Sequence, residues 1–151
     1  MSTIKALVVD DSKIMRSAVK RALNNLMLAD FDYVEAKDGE DALEKFNEEE
    51  IEIMFVDWNM PNMTGVEFSQ AVREQGHDHI PIIMVTAEKS MGKVDKALNE
   101  GGANEYITKP FTADKMHKAI SDYFDDDGNI AGGSDGDDDE DKSFFKGILN
   151  S

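Results

Sequence analysis

Acidic side chains follow two of the apolar segments in this 151-residue sequence. Asp57 comes directly after residues 51–56, and the pair Asp10 and Asp11 comes directly after residues 4–9. Grouped carboxylates bind hard divalent cations such as Mg²⁺ through their oxygen atoms. A carboxylate can also attack a phosphoryl group as a nucleophile. The residue types therefore predict a metal site that leaves one carboxylate free for covalent chemistry.

Two further apolar segments end in residues that can contact a phosphoryl group. Thr86 follows residues 80–85, and Lys109 follows the short segment 105–108. A lysine ammonium and a threonine hydroxyl can hold phosphoryl oxygens whose charge a cation offsets. One acidic residue after a strand would be an ordinary loop residue. Three carboxylates and a lysine at neighbouring strand ends favour a functional site instead.

The elements that must position these residues are alternating strands and helices. Apolar residues recur at helical spacing between the apolar segments; Ser12 is expected to cap the first helix, and Ile14 is one of its apolar positions. Strict alternation over about 125 residues predicts a parallel sheet with helices on both faces. Five strands indicate a flavodoxin-like (βα)5 fold with strand order 2-1-3-4-5. That order makes strands one and three neighbours, so Asp10, Asp11 and Asp57 share one crevice.

The chain divides into a domain and an acidic extension. The fifth helical pattern runs to Phe124, and residues 1–125 are predicted to form the domain. Residues 126–151 are predicted to be a flexible acidic linker followed by a short amphipathic segment. Residues 121–151 hold 10 acidic and 2 basic side chains, so this last fifth of the chain carries half of its net charge of -16.

The composition argues against several classes of protein. The net charge of -16 disfavours a nucleic-acid-binding surface, which needs clustered Lys and Arg. No run of about eighteen apolar residues is present, so no membrane span is expected. The N-terminus lacks the pattern of a signal peptide, and the chain has no cysteine. Disulfide and thiolate chemistry are thereby excluded, and a cytoplasmic location is expected.

The candidate site residues lie in four separate segments, residues 10–11, 57–65, 84–88 and 109–112. Together these segments resemble the receiver domain of bacterial response regulators, and within that family the single-domain chemotaxis regulators. The resemblance covers residues 4 to about 125 and implies that Asp57 is the phosphoacceptor. Mg²⁺ is expected to be bound by Asp11, Asp57 and the backbone carbonyl of Asn59, with Asp10 acting partly through water. Asn59 and Glu88 are expected to flank the path of the hydrolytic water.

The resemblance also implies the parts of a switch. Lys109 is expected to bind the phosphoryl group, and its bond to Pro110 is usually cis in the family. Thr86 is expected to move toward the phosphoryl group, with Tyr106 turning inward behind it. Thr64 stands where an Asp or Asn is common, a change expected to be tolerated because Thr can also begin a helix.

The implied function is a signalling switch, not an enzyme acting on a separate substrate. A chemotaxis histidine kinase would phosphorylate the domain, which would catalyse only its own Mg²⁺-dependent phosphorylation and dephosphorylation. The face made by the fourth helix, fifth strand and fifth helix would then bind the flagellar motor switch. A phosphatase is a further candidate partner, and a monomer is expected. The alternative is a phosphate sink that drains the kinase without contacting the motor.

Two other functions fit the residues poorly. A flavodoxin-like electron carrier needs a phosphate-binding loop after strand one, where Asp10 and Asp11 would repel the flavin phosphate. A hydrolase with an aspartyl nucleophile would carry a second Asp two residues later and a substrate-capping insertion. Asp57 is instead followed by Trp58 and Asn59, and there is no room for a cap.

The extension ends in apolar residues at helical spacing. They are Phe144, Phe145, Ile148 and Leu149. So short a segment cannot hold a helix alone in water, so it would order only on docking. It is expected to dock in an apolar groove, either on the face that binds the motor or on a neighbouring molecule. The alternative is a disordered solubilising tail.

Overall fold

Five strands form one parallel sheet in the computed structural model, which describes residues 3–131. The strands are β1 (Thr3–Val9), β2 (Asp30–Ala36), β3 (Ile53–Val56), β4 (Ile82–Thr86) and β5 (Glu105–Thr108). They are hydrogen-bonded in the order β2-β1-β3-β4-β5, and every pairing is parallel. The predicted flavodoxin-like fold and strand order are confirmed.

Five helices connect the strands and cover both faces of the sheet. They are α1 (Lys13–Leu26), α2 (Gly39–Glu48), α3 (Gly65–Glu74), α4 (Met91–Asn99) and α5 (Ala113–Ile120). Each begins after a side chain that accepts a hydrogen bond from the backbone three residues on, and these caps are Ser12, Asp38, Thr64, Ser90 and Thr112. Such a cap contributes about 1 kcal/mol. The Ser12 cap is confirmed, and Thr64 begins α3 with a complete capping box.

Successive residues of the central strands fill two cores, one on each face. Leu7, Met54 and Ile82 pack toward α2 and α3, where Phe68 is fully buried. Their neighbours along the strands, Val8, Phe55 and Ile83, pack toward the other face, where they share a core with Leu23 of α1 and Met116 of α5. Burial of each large apolar side chain contributes about 1.5–3 kcal/mol. The strands are therefore fixed on both faces, and so are the residues that follow them.

The exposure of Ile14 and the end of α5 differ from the sequence-based expectation. Ile14 is 80% exposed, although the helical pattern placed it on the apolar side of α1. The buried residues of α1 begin only at Val19, so its first turn does not pack into the core. Helix α5 ends at Ile120 and not at Phe124; a single 3-10 turn, Ser121–Tyr123, follows it. Phe124 is buried after this turn and still belongs to the core.

The chain turns back on itself after α5. The Asp125 carboxylate accepts hydrogen bonds from the backbone N–H groups of Asp127 and Asn129, at 2.9 and 3.0 Å. The N–H of Ala131 then donates to the carbonyl of Tyr123 at 2.7 Å. The first residues of the predicted linker thus form a hydrogen-bonded turn. The domain boundary at residue 125 stays a prediction.

Residues 132–151 lie outside the described residues, and so do the predicted docking residues Phe144, Phe145, Ile148 and Leu149. Between residues 3 and 131, no helix has the length and apolar character needed to cross a lipid bilayer.

Candidate functional site

The three predicted carboxylates meet at the carboxyl edge of the sheet. Val9 of β1 lies opposite Val56 of β3, and the N–H of Asp57 donates to the carbonyl of Val9 at 2.9 Å. This register sets Asp10 and Asp11 beside Asp57, with ligand oxygens within 4.8 Å of one another. Asp10 and Asp57 are buried, whereas Asp11 is exposed.

The donor set fits Mg²⁺. Three carboxylates supply the hard oxygen atoms that this ion prefers, and the exposed side of the cluster leaves room for the water ligands it keeps. The carbonyl of Asn59 is not part of this group of acidic side chains, so its predicted role as a ligand stays a prediction.

Lys109 balances the carboxylates from the side of β5. Its Nζ lies 2.8 Å from Asp10 Oδ2 and 3.7 Å from Asp57 Oδ1. The ammonium is therefore closer to Asp10 than to the predicted phosphoacceptor. Its backbone N–H donates to the carbonyl of Thr86 at 2.8 Å, which ties the end of β5 to the end of β4. The Lys109–Pro110 bond is cis, as the resemblance implied.

Burial raises the pKa of the Asp57 carboxyl above its ordinary value. The Lys109 ammonium opposes this rise in the pKa, while the nearby Asp10 charge adds to it. A buried carboxylate beside another carboxylate is costly to ionise, and a cation among them favours the charged form. A divalent cation among these carboxylates would therefore favour the charged form of Asp57, the predicted phosphoacceptor.

Glu88 connects Thr86 to Tyr106. Thr86 is fully buried, and its hydroxyl accepts a hydrogen bond from the N–H of Glu88 at 3.4 Å. The hydroxyl of Tyr106 donates to the carbonyl of Glu88 at 2.7 Å. Tyr106 is half-buried, and its hydroxyl lies against the β4–α4 loop. Sequence reasoning paired Thr86 with Tyr106, but did not identify the backbone of Glu88 as the link between them.

Glu88 also reaches the other side of the crevice through its side chain. The amide of Asn59 donates to Glu88 Oε1 at 2.7 Å, so the two residues expected to flank the hydrolytic water contact each other. Lys93 lies 3.4 Å from the same oxygen. The hydrogen bond from Asn59 and the charge of Lys93 lower the pKa of Glu88. Glu88 is therefore held as an anion at the rim of the site.

Trp58 directly follows Asp57 in the sequence. It is 7% exposed and packs within the core on the α2–α3 side. The Lys93 ammonium lies 5.4 Å from its ring centre, within the range of a cation–π contact. Sequence reasoning gave Lys93 no part in the site. The one signal for it was its place in the first turn of α4, three residues after the Ser90 cap.

The loop after Asp57 is closely packed against its own helix. A Cβ on Gly65 would lie 2.0 Å from the carbonyl oxygen of Asp57, so no larger residue fits there without movement. The N–H of Gly65 donates to the carbonyl of Trp58 at 3.0 Å. Asn62 adopts φ 69° and its amide donates to Asp38 Oδ2 at 2.9 Å. These contacts fix the backbone that carries the predicted phosphoacceptor.

Residues 6–121 match the family described as the response regulator receiver domain. The chain belongs to this family. The receiver domain is therefore a signalling protein with an acidic phosphoacceptor site and not an enzyme in the ordinary sense, and its family membership implies a histidine kinase as partner.

Several chemotaxis proteins are similar to this receiver domain. It is 37% identical over 122 residues to the chemotaxis protein CheY of Pseudomonas aeruginosa, and the aligned region covers 80% of this chain and 96% of that protein. It is 41% identical over 119 residues to chemotaxis protein CheY1 of Helicobacter pylori, spanning 78% and 94% of the two chains. The solved structure of CheY4 from Vibrio cholerae matches it with a TM-score of 0.68 at 35% identity, covering 78% of this chain and 95% of that one.

Proposed function

We propose that this receiver domain is a chemotaxis response regulator that accepts a phosphoryl group on Asp57 and then binds the flagellar motor switch. The observation that carries the proposal is the position of Asp57 between two carboxylates and the Lys109 ammonium. Asp10 shares the strand-end position, the group of metal-binding oxygens and the lysine, but its two oxygens already accept from the Ser12 N–H at 2.9 Å and from Lys109 at 2.8 Å, whereas Asp57 lies 3.7 Å from Lys109. The similarity to chemotaxis proteins over most of the chain supports the cellular process.

In the proposed reaction, a carboxylate oxygen of Asp57 attacks the phosphorus of a phosphohistidine on the kinase. The new O–P bond forms as the N–P bond breaks, and the histidine nitrogen departs with the electron pair. Asp10, Asp11, Asp57 and the Asn59 carbonyl would hold Mg²⁺, which offsets charge on the phosphoryl oxygens. Lys109 supplies a second positive charge, and its reach to both buried carboxylates supports that role.

The switch is proposed to run through Glu88. Movement of the Thr86 hydroxyl toward the phosphoryl group would break its hydrogen bond with the Glu88 N–H. The Glu88 carbonyl, which now accepts from Tyr106, would shift with the loop. Tyr106 would then lose its partner and turn inward. This change would occur within the output face, which is the surface of α4, β5 and α5.

The output face carries positive charge suited to an acidic partner. Helices α4 and α5 and the loop before α4 contribute Lys89, Lys93, Lys96, Lys115 and Lys118. Charges of one sign speed the approach of an oppositely charged partner. The phosphate-sink alternative makes no use of this face.

Binding of a motor-switch peptide, with and without beryllofluoride as a phosphoryl mimic, tests the proposal. We expect the mimic to tighten binding at least about tenfold, or 1.4 kcal/mol, in the wild type. The Asp57→Asn variant is the matched control and should bind alike under both conditions. Equal affinity of the wild type with and without the mimic would favour the phosphate sink.

A further inference from the structure

An apolar groove of about 370 Å³ lies between α1 and α5. Its apolar lining comes from Met15, Ala18 and Ala22 of α1 and from Pro110, Phe111 and Ala113 at the start of α5. Arg21 adds a positive charge at its side. The small alanine side chains of α1 leave the space that larger residues would fill. The groove is thus a concave apolar surface with a basic margin, on a different side of the domain from α4.

One end of the groove borders the phosphoacceptor site. Met15 lies in the first turn of α1, four residues after Asp11, and Pro110 directly follows Lys109. A large phosphodonor that approached Asp57 from the α1 side would pass over this end of the groove. A small phosphodonor would not need to.

The chain beyond Ala131 starts close enough to reach the groove. Ala131 is hydrogen-bonded to Tyr123, just after the end of α5. Twelve residues, 132–143, separate Ala131 from Phe144. Fully extended, they span at most about 40 Å. Helix α1, with 14 residues, is only about 21 Å long. The apolar end of the chain can therefore reach any point along the groove.

The charge of the C-terminal segment is complementary to the charge beside the groove. Helix α1 carries four basic residues and no acidic one. Arg16 and Lys20 are paired with Glu35, but Lys13 and Arg21 form no ion pair within the described part of the chain. Residues 135–141 hold six acidic side chains and end three residues before the apolar residues Phe144 and Phe145. An acidic run followed by aromatic residues matches a basic margin beside an apolar groove.

We propose that the C-terminal segment centred on Phe144 and Phe145 docks in cis into the groove between α1 and α5. Tethering gives the segment an effective concentration near the millimolar range, so a weak contact is enough to occupy the groove. The docked segment covers the α1 side of the approach to Asp57. The effect of the docked segment on phosphotransfer rests on the proposed function, whereas the docking itself is independent of that function. The sequence alone pointed to the output face or to a neighbouring molecule, and the position of the groove and of Ala131 favours α1 and α5.

A spin label on the last residue tests the docking in the full chain. The chain contains no cysteine, so Ser151→Cys creates a unique site for a nitroxide. In an ¹⁵N-labelled sample, the amide signals of Ala18, Ala22 and Phe111 should lose most of their intensity. A tail variant with Phe144→Ser and Phe145→Ser should restore these signals, and so should Ala18→Glu, which puts a charge in the groove. Met91→Glu is the matched control, because Met91 is 80% exposed on α4 and outside the groove; it should restore nothing.

Each other outcome overturns the proposal. Signal loss on α4 and β5 would place the segment on the output face, and loss nowhere would leave it undocked. In a third sample, ¹⁵N-labelled protein without a spin label is mixed with spin-labelled ¹⁴N protein. Loss of amide signals in that sample would show that the segment docks on a second copy of the chain.

Treating the same samples with acetyl phosphate separates the docking proposal from the proposed function. If the segment docks but the protein takes up no phosphoryl group, the docking proposal holds and the proposed function is refuted. Uptake without docking would do the reverse.

Discussion

Lys93 holds its ammonium group 5.4 Å from the centre of the Trp58 ring and 3.4 Å from a carboxylate oxygen of Glu88. Trp58 directly follows Asp57, and Lys93 lies in the first turn of α4. One side chain thus connects the proposed output face to the residue beside the predicted phosphoacceptor. The same Glu88 oxygen accepts a hydrogen bond from the Asn59 amide at 2.7 Å.

Replacing Lys93 tests this connection. Lys93→Met keeps most of the aliphatic side chain but removes the positive charge 5.4 Å from the indole ring, so the electric field at the ring changes and its emission maximum should shift. The lost cation–π contact should cost about 0.5–1 kcal/mol of unfolding free energy. Trp58 is the one tryptophan in the chain, so the emission reports on it alone. Lys96→Met, on the same helix, serves as the control and should leave the spectrum unchanged. Identical spectra for all three proteins would refute the contact.

Asp57 should be the one residue phosphorylated by acetyl phosphate. Intact mass should show a single phosphoryl adduct on the wild type in Mg²⁺ and none on Asp57→Asn. Chelation of the cation should also abolish the adduct, since charge on the transferring oxygens is then not offset. A full-yield adduct on Asp57→Asn would refute the assignment.

Asp57→Asn should stabilise the protein at neutral pH when divalent cations are chelated. Burial raises the pKa of Asp57 in the folded state, so the native protein binds this proton more tightly than the unfolded chain does. The stability from that proton is fully present below the unfolded pKa and is lost as the pH rises through the folded pKa. The advantage of the variant should therefore be absent in acid and reach a plateau at neutral pH.

Urea unfolding of both proteins across this pH range measures the difference. Mg²⁺ should reduce the advantage of Asp57→Asn, because the cation stabilises only the wild-type carboxylate cluster. A variant that is less stable than the wild type at neutral pH in chelator would contradict the pKa shift.

Lys109→Arg should allow phosphorylation but uncouple it from output. Both side chains are cationic, but a planar guanidinium cannot reproduce the compact ammonium that contacts Asp10 and Asp57. Thr86→Ala should act alike by removing the hydroxyl that accepts from Glu88. Each variant is expected to lose about tenfold in beryllofluoride-dependent binding of motor-switch peptide, or 1.4 kcal/mol. Normal binding by both would show that the Thr86–Glu88–Tyr106 link does not carry the switch.

Gly65→Ala should destabilise the fold and slow phosphorylation. The new methyl group would lie 2.0 Å from the Asp57 carbonyl oxygen, and the strain of such overpacking costs about 1–3 kcal/mol. Gly92→Ala is the matched control, because a Cβ there meets nothing within 4 Å. It should stabilise the protein by about 0.4–1 kcal/mol. Chemical denaturation and acetyl phosphate kinetics provide the readouts, and equal stability of the two variants would contradict the close approach.

The strand ends could be predicted from the sequence, and the contacts between loops could not. Five strands that alternate with helices leave little choice of pairing, so Asp10, Asp11 and Asp57 could be expected to converge. Lys93 is different, because its partners depend on which way one long side chain points from α4. Nothing in the spacing of residues encodes that direction.

The apolar spacing also predicted too much burial at the start of α1 and too late an end for α5. Ile14 matches the helical period but precedes the part of α1 that the core covers, since periodicity reports a face and not where the neighbouring layer begins. Phe124 is buried as the pattern indicated, yet it comes after a 3-10 turn and not within α5. Helix ends are set by hydrogen bonds that apolar spacing does not record.

Glu88 contacts Asn59 through its carboxylate and Tyr106 through its backbone carbonyl. Under the proposed function, the first contact bears on how long the signal lasts and the second on how strongly it is passed on. A change of the Glu88 side chain alone would therefore act on duration, whereas a mutation that moves its backbone would change duration and amplitude together. Selection for a longer response without altered gain would be confined to the carboxylate of this one residue.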